Sequence, residues 1–541
     1  MTRYIFIVGG VMSGIGKGVS CASIGKILQS SGHKVSAVKI DPYLNSDAGT
    51  MNPVEHGEVF VTEDGLECDQ DIGNYERFFD QNMYRYNYMT TGQVYHSVII
   101  KERSMHYNGK CVEVVPHITE EIIERIELAG AKTKADFLLI EIGGTVGEYQ
   151  NMVFLEAARI MKLRHSSQVM FIMVSYLPIP KMIGEMKTKP TQHAVRALNS
   201  VGIQPNIIIG RSSAPIDNPR KRKIAIFCNI GEEDVISAPD SDNIYEIPLN
   251  FEKDKMSQRI FFHFGMQTKK GDLKEWKKFS NKYRRLTRPV KIAVIGKYFS
   301  TGKFVLSDSY ISVIEAIKHS SWSLGFKPEI HWLDSEEYET NPEKLKELKK
   351  FNGIIVPGGF GARGVEGKIK VIKYARMNKV PYLGLCYGMQ LAVIEFARNE
   401  SKLKNAHTTE VDPKNPHPVI NILPEQEEKL KNMNFGGSMR LGTYPCELKK
   451  DTISFKAYGE KNILERHRHR YEMNNDFREK LEQAGLVIAG TNPQKNLVEI
   501  IELKNHPFFV AVQFHPELKS RPLRPHPLFR EFIKAAAKRK R

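Results

Sequence analysis

The sequence predicts an α/β protein built from two doubly wound parallel-sheet domains in tandem. Three observations predict it. Over residues 4–247 short Val- and Ile-rich runs alternate with helix-period segments; residues 269–288 are polar and basic and stop at Pro289; and from Val290 a second alternating series begins. Such alternation buries a parallel sheet between helices on both faces. The 541-residue length also exceeds one ordinary core. The expected boundaries are a first domain over 1–267, a basic linker containing a helix over 268–289, and a second domain over 290–541.

In the first series the strand candidates are Ile5 to Val8, Lys34 to Ile40, Phe137 to Ile142, Val169 to Val174 and Asn206 to Ile209. In the second they are Val290 to Ile295, Glu329 to Leu333, Gly353 to Val356 and Pro381 to Leu385. There is no solenoid-length repeat and no low-complexity tract. Hydrophobic and charged fractions of 41% and 26% suit a soluble globular protein. No apolar run reaches the roughly 18 residues of a membrane span, so no membrane partner is expected. The opening residues Met1 to Gly10 lack a small-residue cleavage site and read as a buried strand entering glycines, so a cytoplasmic location is expected. Six scattered cysteines without a C-x-x-C pair agree with a reducing compartment. The net charge of +17 fits either nucleic acid or polyphosphate substrates. Much of it lies in Lys269 to Arg288 and Lys538 to Arg541, which read as solvated linker and tail, so no nucleic-acid partner is expected.

The first strand runs into Gly9-Gly-Val-Met-Ser13-Gly14-Ile15-Gly16-Lys17-Gly18-Val19-Ser20, followed by a helical pattern. Backbone N–H groups of such a loop can close around a polyphosphate at a helix N-terminus, with Lys17 meeting the outer phosphates. Against G-x-x-x-x-G-K-[ST] the loop carries Val11 at the first glycine and Gly18 in place of the metal-binding hydroxyl. Carboxylates from elsewhere must then hold Mg2+, which takes hard oxygen ligands. Glu141 ends an apolar strand before Gly143-Gly144, where sites form on parallel sheets; Asp71 lies in the acidic loop Glu67 to Gly73, which solvated surface explains equally well. Lys187-Thr-Lys189-Pro190-Thr191-Gln192 opens a helical stretch and suits a second polyphosphate, with a surface charge pair as the plain alternative.

In the second series an apolar strand ends in Cys386-Tyr-Gly388-Met-Gln390 and a helical pattern. A tight turn at a helix N-terminus holds such a side chain and lowers a thiol pKa, with a buried free cysteine as the common alternative. Downstream, a further strand from Phe509 leads into His515-Pro-Glu517, in which histidine can take the thiol proton and glutamate can orient the ring. Gly353 to Val356 ends in Pro357-Gly358-Gly359-Phe360-Gly361, a source of N–H donors for an oxyanion.

With these motifs in place the chain resembles the CTP synthase family over essentially its whole length. The resemblance is carried by Ser13 to Gly18, Asp41-Pro-Tyr43, His56 to Phe60, Tyr75 to Phe78, Glu141 to Gly147, Lys187 to Gln192, Pro357 to Gly361, Cys386, Arg468-His-Arg-Tyr471 and His515-Pro-Glu517. It implies a P-loop NTPase-like amidoligase followed by a flavodoxin-like class I glutamine amidotransferase domain. Together they convert UTP, ATP and glutamine to CTP, usually as a homotetramer. It further implies ATP contacts at Gly14, Ile15, Gly16, Lys17, Gly18, Val19, Lys39, Asp71 and Asp240, with Mg2+ on Asp71 and Glu141. UTP, or CTP as feedback inhibitor, is implied at Ser13, Glu148, Tyr149, Gln150, Lys187, Thr188, Lys189, Pro190, Thr191, Gln192 and Lys223. Glutamine is implied at Gly359, Tyr387, Gly388, Met389, Gln390, Glu410 and Arg470, with Cys386, His515 and Glu517 catalytic and GTP as activator.

The chain departs from the family pattern at Gln150 (usually glutamate), Tyr387 (usually leucine) and Ile311 (usually lysine), and Phe299 to Val305 is lengthened. The chemistry expected is phosphorylation of uracil O4 by ATP, then displacement of phosphate by ammonia, which glutamine hydrolysis supplies through a sheltered passage. Rival readings are a cobyrinic-acid-type amidase, against which the Lys187 to Gln192 loop argues, and a DNA-partitioning ATPase, in which a cysteine triad has no role. A filament-forming chain without catalysis is argued against by the presence of Lys17, Glu141, Cys386 and His515.

Overall fold

A computed structural model describes residues 1–297, 300–301, 304–305, 307–423, 426 and 436–539. The lengthened stretch at Phe299, Gly302 and Lys303, and the tail residues Lys540 and Arg541, lie outside the described residues. The chain forms two compact units that are not contiguous in sequence: Met1–Asp47 with Asp71–Asn281, and Ala48–Gln70 with Lys282–Arg541. Among the described residues no helix is long and apolar enough to cross a membrane.

The first unit is built on β1 (Arg3–Gly9), β2 (Val35–Asp41), β3 (Tyr88–Thr90), β4 (Phe137–Ile142), β5 (Val169–Tyr176), β6 (Ile207–Ser212) and β7 (Val235–Pro239). All neighbours pair in parallel, in the order β3-β2-β4-β1-β5-β6-β7. The apolar runs form strands because both faces are covered: Ile5, Phe6, Ile7, Leu138, Leu139 and Ile140 are all fully buried. β3 and β7 were not among the sequence candidates, since Tyr88-Met-Thr90 is too short to show a period. Within the expected linker, Lys274–Arg284 is helical, and buried Trp276 donates its indole N–H to the Tyr245 carbonyl at 2.6 Å.

The second unit carries β8 (Pro289–Gly296), β9 (Lys327–Asp334), β10 (Gly353–Val356), β11 (Tyr382–Leu385), β12 (Arg440–Leu448), β13 (Asn462–His469), β14 (Val487–Thr491), β15 (Val498–Glu502) and β16 (Phe509–Val512). Their order is β9-β8-β10-β11-β16-β15-β14-β12-β13. Pairing is parallel from β9 to β16 and antiparallel from β16 to β13. The parallel strands β8 to β11 and β16 are those predicted. The antiparallel strands β12 and β13 were not, because they alternate buried and partly exposed positions and lack the continuous apolar signal of a doubly covered strand.

Candidate active sites

In the first unit the loop after β1 leads into α1 (Lys17–Ser30). Lys17 is buried and donates to the Gly144 carbonyl at 2.8 Å, and that burial pulls its ammonium below the usual lysine range. Lys39 at the end of β2 donates to Asp71 Oδ2 at 2.5 Å and to Glu141 Oε1 at 3.0 Å. Asp71 opens α2 (Asp71–Phe79), and the Tyr75 hydroxyl of that helix donates to Glu141 Oε2. Burial together with the Asp71 charge raises the Glu141 carboxyl to about 7, against the pull of Lys39. Burial opposes the charged form of Asp71 too, but Lys39 outweighs it and leaves that carboxyl below its usual range.

Gly18 explains the missing hydroxyl of the loop. A Cβ at this position would lie 1.8 Å from Asp71 Oδ1, so the carboxylate occupies the space of the usual Ser or Thr side chain. Two carboxylates converging on the Lys39 ammonium form a hard, anionic oxygen set, which fits a divalent cation such as Mg2+.

The other residues implied for the first unit differ in what they touch. Asp240 pairs with Arg211 at 2.8 Å, and the Arg211 guanidinium covers Gly16. Glu148 accepts from Thr145 and sits against Gly144. The Lys187 to Gln192 segment begins α3 (Lys189–Ser200), whose Ala194 packs on Gly10. Thr191 and Gln192 are buried and pin that helix, Thr191 bonding Ser175 at 2.8 Å and Gln192 donating to Thr188 at 3.1 Å. Lys187 pairs with Glu185 at 2.6 Å, and the Lys223 charge also acts on Glu185. Ser13, Tyr149 and Gln150 are exposed.

In the second unit Cys386 links β11 to α6 (Tyr387–Asn399) with φ 49° and ψ −100°, a conformation a side-chain-bearing residue adopts at a cost. The sharp turn is possible because Gly388 lets the helix approach β10: a Cβ there would lie 2.1 Å from the Val356 carbonyl oxygen. His515 follows β16 and shares its Nδ1 with Glu517 Oε1 at 2.7 Å. Burial works against a charged imidazole, yet Glu517 and the Cys386 sulfur outweigh it and push His515 up to about 10. Its Nε2 is buried and bonds no third group. Gly358 closes on the pair, since a Cβ there would lie 3.0 Å from His515 Cε1 and 3.8 Å from Cys386 Cβ.

The glycine loop after β10 is held from two sides. The Gly361 N–H donates to Glu410 Oε1 at 2.7 Å, and the Tyr387 hydroxyl donates to the Gly361 carbonyl at 2.9 Å. The Tyr387 ring also lies over the buried Lys368 ammonium at 5.5 Å. Burial, with the neighbouring Lys297 charge, lowers Lys368 to about 7. Arg470 donates to Ser438 at 2.8 Å. Gln390, on the first turn of α6, donates to the Tyr471 carbonyl at 2.9 Å and keeps a buried Oε1 that has no partner among the described residues. Ile311 is the first residue of α4 (Ile311–Leu324). Glycine loop, Cys386, Arg468, His515 and Glu517 line one cavity, joined by Glu58 from the Ala48–Gln70 segment.

That segment is tied to β13. Arg466 donates to Glu63 Oε2 at 2.8 and 2.9 Å, and Arg468 donates to Glu67 Oε1 at 2.7 Å. The same strand touches the nucleophile and base through its backbone: the His515 N–H donates to the Arg466 carbonyl at 2.7 Å, and the Cys386 thiol to the Arg468 carbonyl at 3.7 Å. Sequence reasoning missed the roles of Glu63, Arg466, Tyr75 and Gln513. For Gln513 a signal existed, a glutamine inside the apolar run Phe509 to Phe514; for the charged pairs none did.

Residues 3–266 match the family described as CTP synthase N-terminus, and residues 305–535 match glutamine amidotransferase class-I. A CTP synthase of Geobacillus kaustophilus is 50% identical over 539 residues, covering 99% of this chain and 100% of that protein. A CTP synthase of Carboxydothermus hydrogenoformans is 52% identical over 539 residues, 99% of each. Among solved structures, the glutaminase domain of Trypanosoma brucei CTPS with bound acivicin is 38% identical and covers 47% of this chain and 95% of its own, with a TM-score of 0.43.

Proposed function

The chain belongs to the CTP synthase family and so converts UTP to CTP with ATP and glutamine; from that premise we propose how its residues divide the reaction. Residues 1–267 carry the ligase chemistry and residues 290–541 the glutamine hydrolysis, with 268–289 between them. The N–H groups from Gly14 to Val19 and the Lys17 ammonium hold the ATP phosphates, and Lys39 neutralises charge beside them. Asp71 and Glu141 would hold Mg2+, which when bound would offset negative charge on the phosphates. Asp240 acts on the ATP side through Arg211. Lys187 to Gln192, Ser13, Glu148 to Gln150 and Lys223 take UTP or CTP.

In the glutamine site the thiol proton passes to His515 Nε2, and Glu517 steadies the resulting imidazolium. Sulfur attacks the side-chain amide, and N–H groups of Tyr387 and the Gly359 loop meet the oxyanion. Glu410, Arg470 and the unpaired Gln390 oxygen suit the α-ammonium and α-carboxylate of glutamine, with Gly388 and Met389 completing the wall. Family membership supports, as parts of the same proposal, GTP as activator, CTP as feedback inhibitor, a homotetramer and a cytoplasmic location. The observation that carries the glutamine reading is the 2.7 Å His515–Glu517 pair beside Cys386. The test is to incubate the chain with UTP and ATP and follow CTP, with glutamine or ammonium as nitrogen source. Product from both is expected; product from ammonium alone would remove the amidotransferase role.

A further inference from the structure

Among the described residues the Cys386 sulfur has two hydrogen-bond partners besides the histidine, and they act in opposite senses. The thiol donates to the Arg468 carbonyl at 3.7 Å, while the Gln513 side-chain nitrogen donates to the sulfur at 3.7 Å. Gln513 is fully buried between β16 and His515, and its backbone N–H is fixed on the Glu499 carbonyl at 2.9 Å. The direction of its amide is set by a neighbour. Gln390 Nε2 bonds the Tyr471 carbonyl at 2.9 Å, an acceptor only, so that end of Gln390 is the nitrogen. The same nitrogen lies 3.4 Å from Gln513 Oε1, which turns the Gln513 nitrogen toward Cys386.

We propose that Gln513 is a further catalytic residue of glutamine hydrolysis, donating its amide N–H to the Cys386 sulfur and stabilising the thiolate from which attack proceeds. The proposal rests on the reading of Cys386 as nucleophile. When the thiol proton moves to His515 Nε2, the bond to Arg468 is lost and that carbonyl presents its negative end to an anion. The Gln513 bond changes the other way, because an N–H donor to a charged acceptor is roughly twice as strong as to a neutral one. Cys386 is only 3% exposed, so water does not readily replace that donor. The atoms balance without Gln513 changing. Sulfur bonds the amide carbon, the C–N bond breaks, the His515 proton leaves with the nitrogen as ammonia, and water then cleaves the thioester to glutamate. The charged groups lining the cavity around the sulfur, Glu58, Arg468, His515 and Glu517, are untouched by a change at 513.

The test uses the full chain carrying Gln513→Leu or the isosteric Gln513→Glu. Alkylation of Cys386 by iodoacetamide is followed against pH, with the Cys386→Ala chain as the blank for the other cysteines. Thiolate ultraviolet absorbance, as the difference from Cys386→Ala, gives the same midpoint without a reagent. The expected result is a midpoint raised by about one pH unit or more, a tenfold change in the ionisation constant. Glutamine hydrolysis should fall about tenfold or more at neutral pH, with ammonium-dependent CTP formation and thermal midpoint unchanged. Gln513→Glu, which puts an acceptor against the sulfur, should raise the midpoint further, and it carries the test if the leucine variant does not fold. An unmoved midpoint in a folded variant overturns the proposal. Persistent glutamine hydrolysis in Cys386→Ala would instead overturn the nucleophile reading.

Discussion

Asp71 Oδ1 stands 1.8 Å from where a Cβ on Gly18 would be, so the carboxylate and any side chain at position 18 exclude one another. Restoring the usual P-loop hydroxyl is therefore expected to damage this loop. Gly18→Ser should cut CTP formation with ammonium at least about tenfold, because displacing Asp71 breaks its 2.5 Å bond to Lys39 and moves one of the two carboxylates proposed to hold the metal. The measurement is ammonium-dependent turnover beside basal glutamine hydrolysis; a variant with normal turnover would show that Asp71 is not needed where it sits.

The two sites should fail independently. Cys386→Ala should abolish glutamine-dependent CTP formation and leave ammonium-dependent synthesis largely intact, while Lys17→Ala or Glu141→Ala should eliminate product with either source, since phosphorylation precedes amination. Equal loss of both activities in Cys386→Ala would contradict that division.

The His515–Glu517 pair predicts a pH signature. His515 is held at about 10 in the folded chain against 6.5 for a free imidazole, so its stabilising contribution is complete below pH 6.5 and is lost as pH rises toward about 10. Glu517→Gln removes the first of the groups that raise it. Urea midpoints measured at neutral and alkaline pH should fall less steeply across this window in the variant than in the native chain. Parallel slopes would mean that Glu517 does not hold the imidazolium.

Tyr387, whose backbone N–H is proposed as an oxyanion donor, braces the glycine loop through its hydroxyl, at 2.9 Å from the Gly361 carbonyl. Tyr387→Phe removes only the brace. A neutral hydrogen bond of about 1 kcal/mol predicts a roughly three- to tenfold fall in kcat for glutamine hydrolysis with KM nearly constant. A change confined to KM would assign the hydroxyl to substrate binding instead.

Ile311 removes a cation from the start of α4, where the family usually carries lysine. If GTP activates this enzyme, Ile311→Lys should lower the GTP concentration for half-activation about tenfold, the worth of one charged contact. Identical half-activation in the two chains would show that position 311 does not tune the response.

Much of this protein was decided by local sequence. The parallel strands β1, β2, β4 to β6, β8, β10, β11 and β16 announce themselves because a strand covered on both faces must be apolar along its length. The Lys17 loop and the Cys386 turn announce themselves because glycine at fixed offsets is what such backbones need. What the sequence left open is the set of pairings between distant charges. Glu63 meets Arg466 across 403 positions, Lys39 meets Glu141 across 102, and the Gln513 amide is aimed at Cys386 by a Gln390 that lies 123 positions away. The placement of Ala48–Gln70 with the second unit belongs to the same class. Such contacts leave no period in the chain. A charged or amide side chain reads identically whether it is solvated or buried, and only the packing that removes water decides which partner it must find.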